Sequence, residues 1–448
     1  MYIDVTGKYF KLAGSQDCLN LFLGMEDRDP MEVNSKSIAS LTGGSAKPVR
    51  LRNRIASATC VSDFRLIAEQ RLPRLLFDYI DGGSYSEETM RRNVADFSHI
   101  TLEQRVMRDV SSVDTSIDLL GQSMAMPIVL SPVGLAGMYA RRGEVQAARA
   151  ASEAGVPFCL SSVSICGIEE VARAGGTANW FQIYLIKDRG YMAELLQRVD
   201  RASCPVLVFT VDVPVSAARL RDTRTGLAGE PGSRQFLRRA LDGLTHPSWL
   251  WDVWVQGRPH SFGNFAPGIP EADRIDDFWG WSSRNLQTGI TWSDLEWLRE
   301  HWPRPIVLKG IMNPEDARLA VGAGADAIIV SNHGGRQLDG ACSSIAALPL
   351  VVDAVAGRIP VLMDSGVRSG GDVLKALSLG ASACLIGRAW AYALAAGGQE
   401  GVARMLDLFQ NELKAAMALS GRTTLRERPG FPQTAFSTSP IASPARPA

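Results

Sequence analysis

Eight short apolar or β-branched runs recur along the chain, each passing into polar or glycine residues. They are "MPIVLSP" from Met126, "PFCLSSVS" from Pro157, "ANWFQIYL" from Ala178 and "PVLVFTVDVP" from Pro205, then "PIVLKGI" from Pro305, "AIIVSNHGG" from Ala327, "PVLMDSGV" from Pro360 and "ACLIGRA" from Ala383. Between most of them lie stretches of helical periodicity, such as "RGEVQAARAASEAG", "NPEDARLAVGAGA" and "SGGDVLKALSLGAS". Near-continuous apolar strands alternating with amphipathic helices predict a parallel sheet with both faces covered. Eight such units predict an α/β fold closed into a (β/α)8 TIM barrel. An open doubly wound sheet is the alternative, but its GxGxxG fingerprint is absent. The nearest match, "GAGADA" at 322–327, precedes a strand and reads as a helix-to-strand turn.

The strands are evenly spaced except between the fourth and fifth, from Pro205 to Pro305, which predicts a long insertion at about 223–290. Five of the ten tryptophans fall in it: Trp249, Trp251, Trp254, Trp279 and Trp281. Its "SRQFLRRALDGL" places Phe236, Leu237, Ala240, Leu241 and Leu244 on one helical face, with Arg234, Arg238 and Arg239 elsewhere. A basic amphipathic helix followed by "PSWLWDVW" suits a membrane surface, and equally a lid or subunit contact at the barrel mouth. Ahead of the barrel, "SDFRLIAEQRLPRLLFDYIDGGSYSEETMRRN" predicts helix, turn, helix, with Gly82-Gly83 breaking the pattern. Residues 1–55 show no evident core and read as a poorly ordered extension. Residues 56–430 form the main domain, and 431–448, ending "TSPIASPARPA", have the composition of a disordered tail.

Charge changes the picture only by exclusion. Lys+Arg and Asp+Glu are equal at 47 each, so no global field favours nucleic acid. The seven cysteines (18, 60, 159, 166, 204, 342 and 384) include no CxxC and no Cys/His pairing at zinc spacing, so no metal is expected. Several lie in apolar runs, as small buried hydrophobes in a reducing compartment. No apolar run reaches the ~18 residues of a spanning helix, and no signal peptide is evident, so a cytoplasmic chain is expected.

In a (β/α)8 barrel the C-terminal strand ends build the site. Here they carry Ser161, Gln182 with Tyr184, Thr210 with Asp212, Lys309, Ser331 with His333 and Arg336, Asp364, and Arg388. The loops "DSGVRSGGD" and "IGRAW", after strands seven and eight, suit a phosphate held on backbone N–H groups, with Arg368 and Arg388 adding charge. His333 and Asp212 make a candidate base and orienting carboxylate, and Arg336 with Arg219 a candidate clamp for a substrate carboxylate. Lys309 either stabilises a developing anion or acts as a Schiff-base nucleophile.

"SNHGGRQLDG", with "VLKGI" upstream and "DSGVRSGGDVLKALSLGA...IGR" downstream, resembles the FMN-dependent L-2-hydroxy-acid dehydrogenases and oxidases, in order and spacing from about residue 57 to 428. "SPVGLAGMYARRGEVQAARAA" and "THPSWLWDVWVQGRPHSFGN" are most similar to the bacterial quinone-linked L-lactate dehydrogenase branch. The resemblance implies FMN as cofactor, L-lactate oxidised to pyruvate, quinone as electron acceptor, a homo-oligomer, and a peripheral position on the inner face of the plasma membrane through the insertion. Oxidation of another L-2-hydroxy acid (glycolate, mandelate or a longer chain) stays open beside it. It also implies roles: His333 as base, Asp212 stabilising its imidazolium, Arg336, Arg219 and Tyr79 on the substrate carboxylate, and Tyr184 on the hydroxyl. Lys309 faces the flavin's N1/C2 edge, the backbone of Val133 and Gly134 its ring, and Ser161, Gln182, Thr210 and Ser331 line it. Asp364, Gly366, Arg368, Gly387 and Arg388 hold the ribityl phosphate. Two departures bear on specificity: "SAA" precedes Arg219 where many relatives carry a glycine or further arginine, and Val163 stands where glycolate oxidases often carry tryptophan. Nothing in 1–55 resembles a haem domain.

Overall fold

A computed structural model describes residues 54–175, 179–227, 233–267, 281 and 284–425. The expected N-terminal extension, apart from Arg54 and Ile55, and the expected tail lie outside the described residues. Ile55 is a core residue, 4% exposed.

A hairpin of β1 (Ile117–Leu119) and β2 (Gln122–Met124) turns through Leu120 and Gly121, both at positive φ. Eight parallel strands follow: β3 (Ile128–Leu130), β4 (Cys159–Ser161), β5 (Trp180–Ile183), β6 (Leu207–Thr210), β7 (Ile306–Lys309), β8 (Ala327–Val330), β9 (Val361–Met363) and β10 (Ala383–Ile386). They pair in sequence order from β4 to β10, and β10 pairs with β3. A parallel bridge between Leu130 and Phe158 joins β3 to β4 and closes the barrel. Each strand falls within one of the eight apolar runs.

Successive strand residues point to opposite sides, and here the two sides form two separate cores. Val129, Cys159, Trp180, Val208, Val307, Ile329, Leu362 and Leu385 pack inside the barrel, with Leu119 and Met124 of the hairpin in the same cluster. The hairpin thus plugs one end, and Gln122 accepts a hydrogen bond from the Trp180 indole. The outward residues, among them Phe181, Phe209, Leu308 and Ile328, pack against the helical layer. A strand buried on both sides must be apolar throughout, which is why these runs do not alternate.

Helices Val61–Arg71, Arg74–Asp81 and Glu88–Ala95 precede the barrel, and the second ends at Gly82. The helix Arg388–Leu419 packs along the first of them. It is interrupted at Gly398, whose φ of 63° and ψ of −141° are not helical.

The insertion divides into two unlike parts. Helix Ser233–Leu244 leaves Leu237, Leu241 and Leu244 more than half exposed, and Trp251 is 63% exposed. By contrast Phe262, Asn264, Phe265 and Trp281 are fully buried. The Asn264 side-chain nitrogen donates to the carbonyls of Ser161 and Ser162, and its oxygen accepts from Ile168 N–H. This second part joins the core outside the strands, between barrel and helices, a placement the periodicity did not indicate. No described helix is long and apolar enough to cross a membrane.

Phe181 lies wholly between barrel and helices. Phe181→Ala is expected to cost about 3–5 kcal/mol, the range for deleting a buried aromatic, read as a lower urea midpoint by circular dichroism.

Candidate active site

The inward rows that are apolar inside the barrel turn polar at the strand ends. Continuing each by steps of two gives Val129–Ser131–Val133, Cys159–Ser161–Val163, Trp180–Gln182–Tyr184, Val208–Thr210–Asp212, Val307–Lys309, Ile329–Ser331–His333, Leu362–Asp364 and Leu385–Gly387. One cavity opens over them, with about 1210 Å³ free of protein atoms and part of it open to solvent. Its wall includes Tyr79, Val133, Gly134, Ser161, Tyr184, Arg219, Lys309, His333, Arg336, Asp364, Gly366, Arg368, Gly387 and Arg388. Gln182, Ser331 and Asp212 are hydrogen-bonded to the wall residues Ser161, Lys309 and His333, and Thr210 is paired with Lys309 across the sheet. Every site residue expected from the sequence is therefore in the cavity wall or next to it.

His333 Nδ1 lies 2.9 Å from Asp212 Oδ1. With the carboxylate accepting from Nδ1–H, Nε2 is left as the proton-accepting nitrogen. The residue sits at φ 58°, in the left-handed region, with its N–H donating to Ser331 Oγ at 3.1 Å. Gly335 follows at φ 71°, where a Cβ would come within 2.5 Å of Met90 N. The "HGG" run is thus fixed by a tight approach to helix Glu88–Ala95. Burial lowers the proton affinity of His333, and Asp212 only partly offsets it, so the ring stays neutral at neutral pH. Burial would raise Asp212, but His333 and Lys309 outweigh it and hold the carboxyl below its usual value.

Lys309 Nζ donates to Ser331 Oγ at 3.0 Å and lies 3.2 Å from Asp364. Burial would lower its proton affinity, yet Asp364 and Asp212 reverse the sign and keep it an ammonium. A Schiff-base nucleophile needs the free amine, so this environment disfavours that alternative.

Arg368 and Arg388 line the cavity as half-buried cations with no carboxylate at ion-pair distance among the described residues. Arg388 donates to the carbonyls of Ile80, Gly82 and Gly334, and Arg368 to that of Val367. Burial lowers both, Arg388 to about 10, which leaves it charged at neutral pH. Desolvating a cation without an anion is costly. Beside them, helix Arg388–Leu419 begins at Gly387 with no side-chain cap. A Cβ at Gly387 would meet only Ser131 and Val133, at 3.8 and 4.0 Å, so the missing side chain leaves cavity.

Arg336 shares the Gly82 carbonyl with Arg388, and the guanidinium carbons of Arg336 and Arg219 lie 4.9 and 5.4 Å from the centre of the Tyr79 ring. Arg336 is oriented by the carbonyls of Tyr79 and Gly82, and Arg219 Nη1 is 3.5 Å from Asp222. Burial pushes the Tyr184 hydroxyl well above its ordinary value, with Asp212 adding to it, so it stays protonated as a donor. Residues that the sequence did not single out complete the wall. Tyr139 donates to Gly134 O at 3.0 Å, Ser365 bridges Asp364 and Gly334 N–H, and Leu286 comes from the insertion. Strand-end reading misses these because none continues an inward row.

Fold and cavity define an enzyme of the barrel class whose single cavity combines arginines without a carboxylate at ion-pair distance among the described residues and a histidine–carboxylate pair. Residues 68–429 match the FMN-dependent dehydrogenase family, and the chain belongs to it. L-lactate dehydrogenase of Caulobacter vibrioides (strain NA1000 / CB15N) is 54% identical over 367 residues, 82% of this chain and 94% of that one. L-lactate dehydrogenase of Ectopseudomonas mendocina is 53% identical over 366 residues, 82% of this chain and 96% of that one. Among solved structures, the monotopic membrane protein (S)-mandelate dehydrogenase matches with TM-score 0.77 at 34% identity, over 82% of this chain and 97% of that one. Mandelate oxidase with (S)-4-hydroxymandelic acid matches with TM-score 0.72 at 39% identity, over 82% and 96%.

The residues present fit FMN. The unneutralised Arg368 and Arg388 meet a phosphate's charge. Gln182 Nε2 and Thr210 Oγ1, buried and without partners among the described residues, offer donors suited to a heterocycle's edge. Gly366 sits at φ 91° in the loop after β9, and a Cβ there would lie 1.9 Å from Asn93 O. Gly366→Ala should displace that loop. Backbone strain of about 1–3 kcal/mol corresponds to about tenfold or more in FMN affinity, measured by quenching of flavin fluorescence.

Proposed function

We propose that the protein oxidises L-lactate to pyruvate with FMN and passes the electrons to a quinone at the inner face of the plasma membrane. The observation that carries this reading is the neutral His333, hydrogen-bonded to Asp212 at 2.9 Å, in one cavity with Arg219, Arg336 and Tyr184. The substrate carboxylate binds between Arg219 and Arg336, with Tyr79 beside it. This fixes the hydroxyl toward Tyr184 and His333 Nε2. His333 removes a substrate proton, and Asp212, charged throughout, stabilises the imidazolium that forms. Bound FMN would supply the two-electron oxidising capacity. Lys309 would set its positive charge against the N1/C2 edge, Ser161, Gln182, Thr210 and Ser331 would line the ring, and the backbone of Val133 and Gly134 would face it. Asp364, Gly366, Arg368, Gly387 and Arg388 would hold the ribityl phosphate. L-lactate dehydrogenases at 53–54% identity support lactate as substrate. The second reading, another L-2-hydroxy acid such as mandelate, is supported by the similarity to (S)-mandelate dehydrogenase.

The same (S)-mandelate dehydrogenase is a monotopic membrane protein, which favours the membrane reading of the insertion. The exposed Leu237, Leu241, Leu244 and Trp251 give that reading a physical basis, since an apolar helical face with basic neighbours enters the headgroup region.

Anaerobic addition of L-lactate should bleach the flavin absorbance and D-lactate should not; bleaching only by aromatic hydroxy acids would select the second reading. His333→Ala should retain FMN and lose about 10²–10⁴-fold in kcat. The acid limb of kcat/KM should fall below the ordinary histidine value of about 6.5, since base activity is lost as pH drops through a lowered pKa. Asp212→Asn should move the limb lower still, because the carboxylate is what favours the charged ring. Replacing Leu237, Leu241 and Leu244 together with serine should abolish sedimentation with anionic lipid vesicles while leaving reduction of a soluble dye intact. Unchanged sedimentation would assign those leucines to a protein contact instead.

A further inference from the structure

The end of the long insertion returns to the barrel at the cavity. Its last residues lie along the extension of β5: Lys187 N–H donates to Asn285 O and Gln287 N–H to Leu185 O, both at 2.9 Å, and Leu286 pairs antiparallel with Ile186. Leu185–Lys187 directly follow Tyr184, so this pairing sets Leu286 beside the tyrosine, and its side chain lines the cavity.

We infer that Leu286, supplied by the insertion, is a specificity-determining residue that limits the size of the substrate's C2 side chain. The inference rests on the proposed oxidation of an L-2-hydroxy acid. Three of the four substituents on C2 are then assigned by chemistry: the carboxylate to Arg219 and Arg336, the hydroxyl to Tyr184 and His333, and the C2 hydrogen to the oxidation itself. The fourth, a methyl in lactate, needs an apolar wall in the same cavity. Val163, Val213 and Leu286 supply it. Of the three, leucine has the longest side chain and stands on a segment outside the barrel's own strand ends.

The wall is rigid enough to discriminate. Trp281, fully buried, stacks on Phe262 at 5.2 Å and packs on Phe265 at 4.9 Å, and its carbonyl accepts from Asn285. Lys187 Nζ donates to Arg284 O at 2.7 Å. A backbone held at Arg284, Asn285 and Gln287 does not collapse into the space left when one side chain is shortened. Truncation therefore enlarges the pocket, as in cores whose surroundings relax only partly.

The test compares L-lactate with L-mandelate in the FMN-loaded enzyme for wild type, Leu286→Ala and Leu286→Met. Leu286→Ala should raise the mandelate-to-lactate ratio of kcat/KM by about tenfold or more, the scale of a few methylenes in an apolar pocket. Leu286→Met, which conserves volume, should leave the ratio within about threefold of wild type. Calorimetric affinities for phenylglyoxylate and pyruvate should shift in the same direction, independently of turnover. If Leu286→Ala binds FMN and oxidises lactate but its ratio and affinities match wild type, the inference is overturned. If Leu286→Ala does not fold, Leu286→Phe provides the same decision: it should reduce mandelate turnover selectively, and an unchanged ratio overturns the inference. A wild-type enzyme that oxidises neither acid would instead overturn the proposed function.

Discussion

The arrangement of charge at the barrel mouth is the constraint from which the rest of the site follows. Asp212, His333, Lys309 and Asp364 lie together where little water reaches, and each depends on its neighbour. Lys309 stays charged because two carboxylates face it. Asp212 stays charged because a cation and an imidazole face it. His333 stays neutral because burial outweighs the one carboxylate it touches. Replacing one member shifts the charge balance of the others, because each carboxylate, the ammonium and the imidazole act on one another. The group is therefore a single unit, and the surrounding backbone, including the left-handed His333, is held to suit it.

The barrel makes such a unit possible by a simple alternation. Inward side chains are apolar through the middle of each strand and become polar at the last position, so polar groups gather at one end without interrupting the core. The unneutralised Arg368 and Arg388 extend the same logic. The protein bears the desolvation of two cations beside an uncapped helix start, an arrangement that favours an anionic ligand over a solvent-filled cleft.

This also explains what could be read from sequence. The strands and their polar ends were legible because period two is a local property: Ser161, Gln182, Thr210, Lys309, Ser331 and Asp364 follow from counting along a strand. Tyr79 was not legible that way, since it sits on the helix Arg74–Asp81 ahead of the barrel and reaches the cavity only through packing; family resemblance supplied it. Tyr139 and Leu286 had no local signal, because a turn residue and a returning insertion announce neither face nor partner. The helix Arg388–Leu419 escaped notice for a related reason: its alanines and glycines give little apolar contrast, although Gly397 is small where Ile55 packs.

The insertion shows how one segment can serve two surfaces. Its first part presents leucines outward at helical spacing, a pattern visible in sequence but silent on what covers it. Its second part is clamped by Asn264 to the carbonyls of Ser161 and Ser162 and by Trp281 to two phenylalanines, a few residues from Leu286 in the cavity wall. A segment anchored this firmly can add apolar surface outside without disturbing the site within. The buried clamp is what makes the exposed helix tolerable, since its attachment does not rely on the face it leaves open.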